Sequence, residues 1–421
     1  MSSYINQVNM TIRDNLVLLQ KTYLESSPVK QVFTDGLETD PGLQEAVNEA
    51  LEKVHSECES GCIVSRVENP FGQDIDRLTM FVMGDTHIPS DDPRREALNR
   101  SPLYKTMQDI GVQSLKQRGR NRSYTADNKD QSNDSWALQE KPRYLVDGFN
   151  VLKEHLKAEV KRVVQGQSSD NDQPKSALAI IDLGDRTGTD ALMGDVAFTA
   201  LEFMQLRQEA ENQARYFGGN KDIHVPIALL QGNHDDDPNN HPLKGVFERQ
   251  LYGSQIFAQE VGEDTILLSI NAEPFDPLYQ QEISKLKDNP DFEEYFRLVE
   301  TEMRQQQELI SWALEQNKDI VLLTHDENLA KKLIDFSNSR ITHIVCGHTH
   351  KATEQTLSEK NVAGNSIRLI RVGSSLGGIP GFETMPGPIG FTIEIDPKAD
   401  EKIKVKKFDQ LYSMNDFRSL T

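Results

Sequence analysis

The sequence predicts an α/β protein whose chemistry sits on loops at the ends of its strands. Five apolar runs, at 78–83, 177–183, 225–230, 320–323 and 341–346, have the length and residue types of buried strands. Each runs straight into a short signature bearing histidine or aspartate. These are Gly84-Asp85-Thr86-His87, Gly184-Asp185, Gly232-Asn233-His234-Asp235, Thr324-His325-Asp326 and Gly347-His348-Thr349-His350. Of the ten histidines in the chain, five fall in these signatures. A polar group just past the carboxyl end of a buried strand, on a loop held by a rigid sheet, is where α/β folds place their chemistry.

Residues 1–66 read as mostly helical, with apolar stripes at Ile12, Leu16 and Leu19 and at Leu43, Val47, Ala50, Leu51 and Val54. A main domain is expected over 67–397, opening with the strand at 78–83. Asp85 and Asp185 then stand 100 positions apart, and most of that gap, 88–176, reads as an insertion. It holds a polar stretch (117–139), a helix (143–164, striped by Leu145, Phe149, Leu152, Leu156 and Val160) and a polar linker (165–175). Inserts between strand ends overlie the active edge of such folds, so this one is expected to cap the site. A helix is predicted from 194 to 217, and a long amphipathic one over 291–317 with Phe292, Phe296, Val299, Met303, Leu309 and Trp312 on its apolar side. Strands at 367–372 and 391–395 are assigned to a second sheet, separated by a glycine-rich loop. The segment 398–421 is charged and is expected to be peripheral.

Five strand ends converging on one edge can supply seven N and O donors, enough for two divalent cations. Mixed imidazole and carboxylate donors without thiolate favour Mn, Fe or Zn over Ca, and over Mg alone. Cations about 3.5–4 Å apart would clamp a phosphate and lower the pKa of a bound water.

The five signatures, in this order, resemble the calcineurin-like metallophosphoesterase superfamily, with its D-x-H, G-D, G-N-H-[DE], H and G-H-x-H blocks. The resemblance implies a four-layer α/β/β/α sandwich of two mixed sheets with flanking helices. It implies two divalent metal ions, with Mn²⁺ favoured. Asp185 would bridge them. Asp85, His87 and His350 would complete one site, and Asn233, His325 and His348 the other. A metal-activated hydroxide would attack phosphorus, and His234 would protonate the leaving oxygen. The related serine/threonine phosphatases carry a second Asp a few positions after the first. Here that position is Gly188, so Asp235 or Asp190 is the candidate partner of His234. Arg186 and Asp235 are taken as candidate substrate contacts. The implied function is phosphoester hydrolysis, read first as a phosphomonoesterase acting on phosphoproteins. A cyclic-nucleotide or other small phosphodiesterase is the alternative, and a silent scaffold the least favoured reading because every expected ligand type is present.

A lone histidine after a strand is ordinarily a hydrogen-bonded loop residue, so His55, His155, His224, His241 and His343 are set aside. Asp326 is read as a helix cap and Cys346 as a small buried hydrophobe. The formal charge of −20 argues against duplex nucleic acid as the main substrate, because backbone binding needs a clustered cationic surface. The basic run 116–122 reads as a flexible loop. No run approaches the roughly 18–20 apolar residues of a membrane span. Three cysteines give no disulfide framework, and Cys58 and Cys62 lack a second pair for zinc. The first residues carry no basic region with an apolar core, so a cytoplasmic location is expected. Export by a route that ignores amino-terminal signals would leave no mark. The oligomeric state is not written in the sequence.

Overall fold

The computed structural model describes residues 67–86, 156–164, 175–187, 193–218, 224–235, 248–249, 255–287, 293–373 and 390–407, with 63–64 and scattered positions from 45 to 60. Two mixed sheets form the frame. The first contains β1 (Arg77–Met83), β2 (Ser176–Asp182), β3 (Ile227–Leu229), β10 (Phe391–Ile395) and β11 (Ile403–Lys407), in the order β11-β10-β1-β2-β3. The second contains β4 (Phe257–Val261), β5 (Thr265–Ser269), β6 (Asp319–Thr324), β7 (Ile341–Cys346), β8 (Thr353–Lys360) and β9 (Ser366–Arg371), in the order β4-β5-β6-β7-β9-β8. Strands β1, β2 and β3 run parallel, as do β5, β6, β7 and β9. On the first sheet β10 pairs antiparallel with β1 and β11 with β10, so 391–395 joins the sheet of β1 and not, as expected, that of 367–372. On the second, antiparallel β4 and β8 form the two edges.

The side-chain period of two assigns each strand to two cores. Leu78, Met80 and Val82 of β1 share a buried core with Val321 and Leu323 of β6, Val345 of β7 and Ile370 of β9, which places the sheets face to face. Phe81 and Met83 point the other way, into a core with Ala200, Phe203 and Met204 of α1 (Met193–Gly218). On the far side of the second sheet, Ile320 and Leu322 of β6 and Ile344 of β7 pack with Leu309, Ile310 and Ala313 of α3 (Glu293–Glu315). The first turns of α3 contribute Tyr295 and Val299 to the α1 core, so this helix ties both outer layers together. Two shorter helices, α2 (Pro277–Leu286) and α4 (Glu327–Leu333), flank the same layers. The result is the expected α/β/β/α layering.

Residues 156–164 are helical, and Leu156, Val160 and Val164 lie in the α1 core, so the carboxyl end of the insertion is part of the frame. Described positions in the 1–66 segment also join it. Val54 is buried in that same core, Ile63 bridges Ile227, and Glu57 pairs with Arg207 at 2.8 Å. Residues 88–155 and 165–174, the glycine-rich loop after Gly373, and residues 408–421 lie outside the described residues. The segment 398–421 is not wholly peripheral: β11 falls within it and pairs with β10 from Phe391↔Lys407 to Ile395↔Ile403. Three strands not expected from the sequence, β4, β5 and β8, add to the second sheet.

Candidate metal centre

The parallel strands deliver their carboxyl ends to one edge. Asp85 follows β1, Asp185 follows β2, Asn233 and His234 follow β3, His325 follows β6, and His348 and His350 follow β7. Asp85, Asp185 and His325 are each about 1% exposed or less, and donor atoms from all three lie within 4.8 Å of one another. His325 Nε2 is 3.3 Å from Asp185 Oδ2 and 3.1 Å from Asn233 Oδ1. Its other nitrogen, Nδ1, stands 2.9 Å from the Leu183 carbonyl, a contact that fixes the tautomer and turns Nε2 into the site. His348 Nδ1 reaches the same Asn233 Oδ1 at 2.9 Å, and His350 Nε2 lies 3.4 Å from Asp85 Oδ1. His234 donates its backbone N–H to Asp185 Oδ1 at 2.8 Å, and its ring Nε2 is 3.9 Å from Asp185 Oδ2.

Backbone conformation at this edge is unusual. Asp85, Asp185, His348 and His350 all have positive φ, between 50° and 65°. Left-handed backbone is costly for residues with a Cβ, by roughly 1–2 kcal/mol each, and such residues cluster where function over-determines the chain. Gly184 has φ +102°, and a Cβ there would overlap the backbone of Gln231 and Gly232. A Cβ on Gly232 would in turn overlap Asp185 Oδ1. The β2 and β3 loops therefore interlock through two glycines. Of the glycines in the four Gly-led signatures, only Gly184 has positive φ, so a left-handed turn explains one of the four, and close approach explains Gly232 and Gly347, whose Cβ would meet Asp85 Oδ2 at 2.8 Å.

The donor set fits divalent cations. Carboxylates, imidazoles and one amide oxygen converge. Burial opposes protonation of His325, but the Asp185 carboxylate, helped by Asp85, holds its pKa well above the usual imidazole value. Burial likewise opposes protonation of His350, and Asp85 outweighs it, so this pKa is also raised. Burial and the neighbouring His325 depress His348. Two imidazoles drawn toward the charged form report an electronegative cradle, which is what cations require.

Six of the seven sequence-predicted ligands come together here: Asp85, Asp185, Asn233, His325, His348 and His350. His87 lies outside the described residues, as do Asp190, Cys58 and Cys62. Arg186 and Asp235 need correction. Both are completely buried beneath the site, and Arg186 is committed to Asp182, Glu248 and the Leu230 carbonyl, so neither side chain is placed to meet a substrate. Asp326 caps α4 by accepting from Asn328 N at 2.7 Å, and its carboxylate also lies 3.8 Å from His348 Nε2. His224 pairs with Glu211 at 3.2 Å and His343 contacts Thr342 Oγ1 at 3.1 Å, both away from the centre. Sequence reasoning missed Asp182 and Glu248. A carboxylate inside the apolar run Ala-Ile-Ile-Asp-Leu was the available signal for Asp182; Glu248 carries none.

A two-sheet α/β sandwich with buried carboxylates and imidazoles gathered at its strand ends is the arrangement of a candidate metal-binding site of the metallophosphoesterase class. The sequence model of the calcineurin-like phosphoesterase family matches residues 78–352, and the chain belongs to that family. No curated protein sequence gives a significant match. Similar solved structures include a dimetal phosphatase from Danio rerio, at 9% identity and TM-score 0.33, covering 79% of this chain and 99% of that one. A 5'-nucleotidase precursor from Thermus thermophilus is 16% identical with TM-score 0.28, covering 63% of this chain and 50% of that one. A single mutant of Vps29 from Entamoeba histolytica is 9% identical with TM-score 0.25, covering 78% of this chain and 98% of that one.

Proposed function

We propose that this chain is a phosphomonoesterase with phosphoproteins as its substrates, acting at a dinuclear centre that Mn²⁺ fills. The convergence of Asp85, Asp185 and His325 within 4.8 Å carries the reading. Asp85, His87 and His350 would hold one cation and Asn233, His325 and His348 the other, with Asp185 shared. Cations so held supply positive charge to the phosphate oxygens and acidify a coordinated water.

The protein's own groups do the rest. Asp185 is fixed from below, because its backbone N–H donates to Asp235 Oδ2 at 2.7 Å. It in turn fixes His234 through the 2.8 Å bond to the His234 backbone. The His234 side chain is 35% exposed, whereas Asp185 beside it is buried. A substrate oxygen can therefore approach the His234 ring from solvent while the carboxylates stay dry. That placement suits a proton delivered from His234 to the leaving oxygen, a contribution typically worth about 10²–10⁴-fold. His348, 39% exposed at its side chain, stands at the same open mouth. An open mouth and a long insertion between the first two signatures favour a phosphate projecting from a larger body over a small enclosed nucleotide.

The test strips the protein with chelator, restores Mn²⁺, and compares an aryl phosphate monoester with its bis-aryl diester. Monoester preference, followed by release of phosphate from phosphopeptides, is expected. Diester preference would replace the reading with a phosphodiesterase. Hydrolysis of neither, with metal bound, would overturn the hydrolase reading.

A further inference from the structure

Beneath the proposed metal ligands lies a second, wholly buried polar layer. Arg186 is 0% exposed, and its guanidinium is ringed by Asp182, Asp235 and Glu248, whose side chains are likewise fully buried. Nη1 donates to Asp182 Oδ2 at 3.2 Å and to the Leu230 carbonyl. Nη2 donates to Glu248 Oε2 at 3.2 Å and lies 3.6 Å from Asp235 Oδ2. Asp235 is the hub on the other side. It accepts from Asp185 N at 2.7 Å, from Gly232 N at 3.1 Å, and from Thr187 N and Oγ1 at 3.4 Å each.

One buried cation thus connects the end of β2, the end of β3, the loop carrying Asp185, the loop carrying Asn233 and His234, and the segment at Glu248. A buried charge is tolerated when it is paired with opposite charge and hydrogen-bonded, and its planar fork makes arginine the side chain able to engage several acceptors at fixed angles. An apolar residue would fill the volume without aligning the loops. Nothing in this layer faces substrate.

We infer that Arg186 and Asp235 are positioning residues: a buried guanidinium–carboxylate clamp that sets the distance between Asp185 and Asn233 and so tunes cation affinity. The inference rests on the metal reading above and extends it to residues that touch no cation. Partners of this kind typically change metal affinity by about 10–100-fold when altered.

The experiment titrates Mn²⁺ into chelator-stripped full-length protein by calorimetry, comparing wild type with Arg186→Lys, which keeps the charge and loses the fork. We expect wild type to bind Mn²⁺ and Arg186→Lys to bind it at least about tenfold more weakly, while circular dichroism and the steepness of thermal unfolding stay native. Binding equal to wild type in a folded Arg186→Lys overturns the clamp and leaves the metal reading intact. No Mn²⁺ binding by wild type overturns both. If Arg186→Lys does not fold, Asp235→Asn decides. It is isosteric but neutral and keeps a single acceptor oxygen, so it cannot accept both the Asp185 and Gly232 N–H groups at one position and the Thr187 N–H at the other, and it removes the charge facing Arg186. Weakened affinity in a folded Asp235→Asn supports the clamp, and unchanged affinity overturns it.

Discussion

His234 and His343 show how differently two histidines behave in one protein. His234 is pinned at its backbone by Asp185 and half-exposed at its side chain. If it protonates the leaving group, His234→Ala should cost an alkyl phosphate about 10²–10⁴-fold in kcat, the range of general-acid help. An aryl phosphate with a good leaving group should lose far less. Equal losses on the two substrates would remove His234 from that role. His343 lies in β7, away from the centre, and burial reinforced by Arg368 lowers its pKa to about 4. An unfolded histidine titrates near 6.5, so between that pH and about 4 the unfolded chain binds the proton that the folded chain refuses. Stability is therefore unaffected above this window and falls as pH drops through it, by up to about 1.4 kcal/mol per unit. His343→Gln should show a shallower loss of urea midpoint from pH 6.5 to 4 than wild type; identical slopes would contradict the burial effect.

Among the elements, the interlocked loops after β2 and β3 are the least tolerant of change. Gly184→Ala places a Cβ against the Gln231–Gly232 backbone at a left-handed position, so it should destabilise the fold by at least about 1–3 kcal/mol. Urea unfolding measures this, and a native midpoint would mean that the loops can part. The strands behind these loops were legible because parallel strands buried on both faces read as near-continuous apolar runs, as in Thr-Met-Phe-Val-Met and Ile-Val-Cys. The edges were not. All of β8, Thr-Glu-Gln-Thr-Leu-Ser-Glu-Lys, is exposed or half-buried and carries no apolar alternation, so only its pairing with β9 reveals it. In β11, Ile403 and Val405 alternate with lysines and resemble a charged tail until β10 is placed beside them. In β4, Phe-Ala-Gln-Glu-Val, two polar residues interrupt the apolar run, and β5, Thr-Ile-Leu-Leu-Ser, is a short buried run that leads into no histidine- or aspartate-bearing signature. At the centre the ligand types were readable, but the roles of Arg186 and Asp235 were not, because sequence gives identity without depth. Both look like surface groups until the structure shows them buried.

On the scale of the whole molecule, the centre spans two separately built sheets. Asp85, Asp185 and Asn233 arrive from the first, and His325, His348 and His350 from the second. A cation held between them binds the folded state and not the unfolded one, so removing it should lower the melting temperature. At a free metal concentration of about 100 Kd the linked stabilisation is about 2.7 kcal/mol. Differential scanning calorimetry with and without chelator checks this, and a melting temperature that ignores chelator would place the donors in some other role. The same geometry makes metal content a gauge of how the sheets are aligned. Val345 of β7 and Met80 of β1 sit in the shared inter-sheet core and have no proposed ligand role. A modest slip between the sheets there would widen the donor spacing first. Purified variants of that core should lose cation before they lose secondary structure, so elemental analysis would rank core packing.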